Sequence, residues 1–156
     1  MDEGLKKRLK QERPFATKQE SAFLAVLLLA QELHTEFNEL FKPCDLTLAQ
    51  YNVLRILRGA GQQGHACGQI AERMITREPD ITRMLDRLER RELIRRERQK
   101  VDRRVVLTFL TDKGAELLKT LDRPVDELHR NQLDSLTETE LDHLIQLLEK
   151  ARKRAK

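Results

Sequence analysis

Residues 99–114 read QKVDRRVVLTFLTDKG, and the fold turns on how they are read. A charged cluster (Lys100, Asp102, Arg103, Arg104) runs into the β-prone run Val105–Leu110, and Thr111 or Asp112 then caps a helix. A second β-prone run, Leu93–Gln99, lies just upstream, so the cluster is expected at the tip of a hairpin. An Asp in such a turn can be a plain turn-former in a solvated loop. Its meaning depends on what flanks it.

Upstream, Ile81, Met84, Leu85 and Leu88 recur at helical spacing, while Asp80, Thr82, Arg83, Asp86, Arg87 and Arg90 fall elsewhere. Pro79 suits the first position of this helix. A turn at Ile75-Thr76-Arg77 separates it from a helix carrying Ile70, Ala71 and Met74. Before that, Thr47 and Gln50 have capping-box spacing, with Leu46 and Tyr51 at staple positions. The helix they open carries Val53, Leu54, Ile56 and Leu57 and breaks at Gly59, Gly61 and Gly64; the short segment His65-Ala66-Cys67 follows. Helix, helix, helix and hairpin in that order make a winged helix–turn–helix.

The flanks are helical too. From Lys18 to Phe41, Phe23, Val26, Leu27, Ala30, Leu33, Phe37, Leu40 and Phe41 recur at three and four, and Leu24, Leu28 and Leu29 widen the stripe. A helix apolar nearly all round over 22–30 must be covered on more than one side, and a second subunit is the obvious cover. Downstream, a helix to about Leu133 carries Leu117, Leu118, Leu121, Val125 and Leu128, with Pro124 expected to kink it. Thr137 and Glu140 form a second capping box ahead of a last helix. The expected architecture is mainly α: a winged helix–turn–helix core with a two-stranded β-wing, flanked by N- and C-terminal dimerisation helices. Its parts are an N-terminal arm (1–17), a dimerisation helix (18–45), a DNA-binding core (46–111) and C-terminal dimerisation helices (112–156).

Composition narrows the class. Of 156 residues, 39% are apolar and 36% charged, with no Trp, which favours helices over a disordered or disulfide-built chain. Cys44 and Cys67 match no zinc or redox spacing, and no cofactor or metal is expected. The first residues are charged and lack the apolar stretch of a secretory leader. The longest apolar run, AFLAVLLLA, is about half of what a membrane span needs, so a soluble, cytoplasmic protein is expected. Between Gln69 and Arg104 stand twelve Lys and Arg against eight Asp and Glu, which equals the +4 net charge of the whole chain. Such a local excess suits an anionic partner, although Arg-rich helices can also simply expose a solvated face. No Gly-rich phosphate loop, nucleophile elbow or metal cluster speaks for an enzyme.

With these pieces in place, residues 70–114, IAERMITREPDITRMLDRLERRELIRRERQKVDRRVVLTFLTDKG, resemble the DNA-binding core of the MarR family of winged-helix regulators. The most specific part is Asp102-Arg103-Arg104 followed by Leu110-Thr111-Asp112-Lys113-Gly114, and helix order extends the resemblance over roughly 18–154. The resemblance implies a homodimeric regulator, a repressor acting on a pseudo-palindromic operator in double-stranded DNA. Its two recognition helices would enter the major groove and its wings would lie along the minor groove. The candidate DNA contacts are Arg77, Thr82, Arg83 and Arg87 at the helix and Lys100, Arg103 and Arg104 in the wing. In the family pattern Arg104 meets the DNA and Asp102 orients it. Family members often respond to small phenolic or aromatic effectors, for which His34, Tyr51 and Arg55 are candidate pocket residues. A protein–protein adaptor built on the same scaffold is the competing reading, and arginines at both wing tip and helix start weigh against it. Glu92 departs from the family, which often has Gly there: Gly suits a left-handed helix end and Glu does not, so the helix either ends differently or carries modest strain.

Overall fold

The structure, a computed structural model, describes residues 3–76, 78–99, 102 and 104–152. Its helices are α1 (Glu3–Leu9), α2 (Lys18–Phe41), α3 (Leu48–Ala60), α4 (Cys67–Arg73), α5 (Ile81–Arg90), α6 (Asp112–Gln132) and α7 (Glu138–Arg152), and its strands are β1 (His65–Ala66), β2 (Ile94–Arg98) and β3 (Val106–Leu110). The chain divides into two compact units, 1–119 and 120–156, with the boundary inside α6.

Side chains at the helix starts set most of these boundaries. Thr17 accepts from the Glu20 N–H at 3.1 Å and opens α2. Thr47 and Gln50 close both arms of the expected capping box, at 3.2 and 3.0 Å, and open α3. Thr137 and Glu140 do the same for α7, where hydrogen bonds from the Thr137 backbone N–H and hydroxyl hold the Glu140 carboxyl below its ordinary pKa. Pro79 does not stand at the first helical position, as expected, but in the turn before it. Asp80 takes the cap because its carboxylate accepts from the Arg83 N–H at 3.2 Å, and α5 begins at Ile81. The helix α6 continues through Pro124.

The first unit is built on the apolar faces of α3, α4 and α5. Val53, Leu54, Leu57, Ile70, Leu85, Leu88 and Ile94 are buried. At the end of α2, Phe41 is fully buried and stacks on Tyr51 with ring centroids 4.4 Å apart. The hairpin β2–β3 is the expected wing, paired antiparallel from Ile94 opposite Leu110 to Arg98 opposite Val106. It has a third strand that the sequence pattern did not reveal: β1 pairs with β3, giving the order β1-β3-β2. Two residues are too few to show a period of two, so His65-Ala66 reads as loop until its partner is known.

The wing leaves α5 through a tight closure at Glu92 and Leu93. Glu92 has φ of 60°, the left-handed conformation. Its N–H donates to Glu89 O (2.8 Å) and that of Leu93 to Leu88 O (3.1 Å), which together make a Schellman cap with Glu at the position Gly usually holds. Two contacts support the strained residue. Thr111 donates its hydroxyl to Glu92 O at 2.6 Å, and Lys113 Nζ lies 3.0 Å from Glu92 Oε2. The helix therefore ends in the ordinary geometry and tolerates the strain. Next to it, Leu93 O accepts from the Thr111 N–H at 3.2 Å, and a Cβ added at Gly114 would overlap that same carbonyl. This is why the Leu-Thr-x-x-Gly pattern ends in Gly.

The second unit contains the rest of α6 and α7. Leu121 and Val125 are buried, whereas α7 buries no residue and leaves Ile145, Leu147 and Leu148 exposed. In the first unit α2 likewise exposes Phe23, Val26 and Leu27, which are 61%, 50% and 50% accessible. No described helix is long and apolar enough to cross a membrane.

Substitutions at the closure test this geometry. Glu92→Val, β-branched at a positive φ, is expected to lose about 1–2 kcal/mol in urea unfolding, while Glu92→Gly holds stability or gains slightly. A Val variant as stable as the parent would contradict the left-handed assignment. Gly114→Ala should cost roughly 1–3 kcal/mol, since the crowding atom is backbone and cannot rotate away.

Candidate nucleic-acid interface

The helix α5 separates its faces by chemistry. Met84, Leu85 and Leu88 are buried, while Thr82, Arg83, Arg87 and Arg90 are exposed. The turn before it is held by Asn52 of α3, whose Oδ1 accepts from the Ile75 N–H at 3.2 Å. Arg83 Nε lies 3.0 Å from Asp80 Oδ2, with most of its side chain in solvent. Arg87 has no ion-pair partner among the described residues. The cap at Asp80 thus holds one α5 guanidinium, and such an exposed pair is weak enough to yield to an anionic partner.

At the wing tip, Asp102 Oδ1 accepts from the Arg104 N–H at 3.0 Å, Asp102 O accepts from the Val105 N–H at 3.0 Å, and Gln99 N–H donates to Val105 O at 3.0 Å. The acid therefore sets the backbone of Arg104 through an Asx turn, and the arginine side chain stays exposed. Lys100 and Arg103, like Arg77 before α5, lie outside the described residues.

The three proposed pocket residues are not brought together. His34 lines a groove of about 410 Å³ with Asn38, Gln50, Asp80, Arg83 and Arg87, and its Nδ1 lies 2.9 Å from Asn38 Nδ2. Tyr51 instead is buried against Phe41, and Arg55 sits over its ring at 5.9 Å from the centroid. Among the described residues no group of three or more His, Cys, Asp or Glu could hold a metal.

Several residues with a place at this surface were not singled out from the sequence. Arg98, on β2 beside the wing tip, is exposed. Arg96, on the same strand face but nearer the core, packs onto α5: its guanidinium lies 2.6 Å from Asp86 and 2.5 Å from Glu89, and its backbone N–H donates to Glu89 Oε1 at 3.1 Å. The hydrogen bonds that Arg96 donates to Glu89 raise its pKa above the ordinary value; burial lowers it by less, and the bond to Asp86 adds to the rise. On the other side of α5, Arg91 donates to Cys44 O at 2.7 Å and to Asp45 O, which fastens the helix end to the turn after α2.

Comparison with known proteins agrees with this geometry. The model of the MarR family matches residues 46–106. A MarR transcription factor from Planctomyces limnophilus is 42% identical, and the match covers 88% of this chain and 98% of that one with a TM-score of 0.67. The chain belongs to the MarR family. A cysteine-to-serine mutant of MarR from E. coli, solved with operator DNA, is 30% identical with a TM-score of 0.74, over 81% of this chain and 90% of that one. The transcriptional repressor MdtR of Bacillus subtilis is 37% identical over 91 residues, 58% of this chain and 57% of that protein. As a MarR family member the protein is a DNA-binding transcription regulator and not an enzyme.

Proposed function

We propose that this MarR family regulator is a homodimeric repressor that reads a pseudo-palindromic operator. One α5 per half-site enters the major groove with Thr82, Arg83 and Arg87, and Arg77, ahead of it in the sequence, is a further candidate contact. The wing meets the flanking minor groove through Arg104, and Lys100 and Arg103 of the same sequence cluster are further candidate contacts. The observation that carries this reading is the face of α5 that exposes Thr82, Arg83, Arg87 and Arg90, with the turn ahead of it held by Asn52. A helix with an exposed face of that kind is what major-groove readout requires. Arg104, turned by Asp102, suits the narrow, electronegative minor groove.

The dimer rests on the uncovered apolar surfaces. Exposed Phe23, Val26 and Leu27 on α2 and Ile145, Leu147 and Leu148 on α7 are costly in water, and a second copy would bury them. The groove beside α5 supports control by a small aromatic or phenolic effector, because an occupant near His34 would also touch Arg83 and Arg87.

Operator binding, measured on the DNA upstream of the protein's own gene, should weaken steeply as salt rises, because phosphate contacts release counterions. Arg83→Ala and Arg104→Ala are each expected to weaken it by about 1–3 kcal/mol with the dimer intact. Equal binding to this duplex and to random DNA at moderate salt would refute specific readout. Leu27→Asp should shift the protein toward monomer in light scattering and lower operator affinity with it; an unchanged dimer would place the interface elsewhere.

A further inference from the structure

The DNA-facing helix carries two acids that the reading so far does not explain. Asp86 follows Thr82 by four residues and Arg83 by three, so it shares their stripe on α5, and Glu89 comes one turn later. Neither carboxylate is sealed in the core: their side chains are 43% and 37% accessible. A carboxylate so close to a polyanion is repelled, and the repulsion grows as water is squeezed from the contact. Both acids are met by one cation from another element. Arg96 of β2 reaches back onto α5 with Nη2 at 2.6 Å from Asp86 Oδ1, and with Nε and Nη2 at 2.8 and 2.5 Å from Glu89 Oε2. Its own backbone N–H adds a third bond to Glu89. At 27% side-chain accessibility it is the least exposed of the three, so the fork is spent on the acids and not held out to solvent.

We infer that Arg96 serves DNA binding without touching DNA, by pairing with Asp86 and Glu89 and offsetting one of their two negative charges beside the reading stripe of α5. It is a positioning and neutralising residue: the wing supplies the counter-charge that lets an acid-bearing helix approach phosphate. The arrangement leaves Arg83, Arg87 and Arg104 to act on the DNA, while Arg96 keeps their neighbourhood from turning repulsive. This rests on α5 facing the DNA. The Arg83→Ala control separates the two ideas, because a reading helix that ignores Arg83 fails whatever Arg96 does.

The test measures operator affinity and its salt slope for Arg96→Met, for the triple variant Arg96→Met/Asp86→Asn/Glu89→Gln, and for Arg83→Ala. Arg96→Met should bind at least ~tenfold more weakly, since two acids are left unpaired beside phosphate. The triple variant should return to within ~threefold of the parent with an unchanged salt slope, because no phosphate contact has been removed. Unchanged binding by Arg96→Met would overturn the inference. So would a loss that the triple variant does not restore, or a slope lower by about one, which marks a direct phosphate contact. If Arg96→Met does not fold by circular dichroism, Asp86→Asn/Glu89→Gln with Arg96 kept decides the matter. Affinity equal to or above the parent supports the neutralising role, and a drop refutes it.

Discussion

Leu93 is the point on which the rest of the structure depends. Its N–H closes the end of α5 on Leu88 O, its side chain is buried, and its carbonyl accepts from Thr111 where α6 begins. Gly114 lies so close to the same carbonyl that no side chain fits. One residue thus joins α5, the first wing strand and the helix that leads to the second unit. A buried backbone group must find a partner, and here both partners of Leu93 belong to different elements. The angle between α5 and the wing is set by that requirement.

Glu92 shows how much a departure from pattern can be absorbed. A left-handed residue other than Gly costs on the order of 1–2 kcal/mol. The Schellman hydrogen bonds do not depend on the side chain, so they form regardless of what occupies the position. The Glu side chain then finds Lys113, and the Glu92 carbonyl accepts from Thr111. The local cost is borne by a junction held from both sides.

Much of the local structure was legible in the sequence because its rules are local. Capping boxes at Thr47 and Thr137, the amphipathic face of α5 and the hairpin around Asp102 all depend on residues a few positions apart. What was not legible depends on distant pairs. The strand β1 exists because His65 faces Thr108, and the Arg96 fork exists because the wing folds back over α5. The start of α5 was misplaced by two residues because Pro79 and Asp80 both suit a helix entrance, and the carboxylate bond to Arg83 decides between them. Helix order put the candidate pocket residues His34, Tyr51 and Arg55 near a common junction, but His34 lines a groove that neither Tyr51, stacked on Phe41, nor Arg55 lines.

The most direct measurement is a crystal structure of the protein with its operator. The expected complex has α5 in the major groove with Thr82 and Arg83 within hydrogen-bond reach of base edges. Arg104 lies against the minor groove, and the contacts of Arg96 to Asp86 and Glu89 are retained. A complex in which the DNA runs across another face, or in which Arg96 has left the two acids for a phosphate, would contradict it.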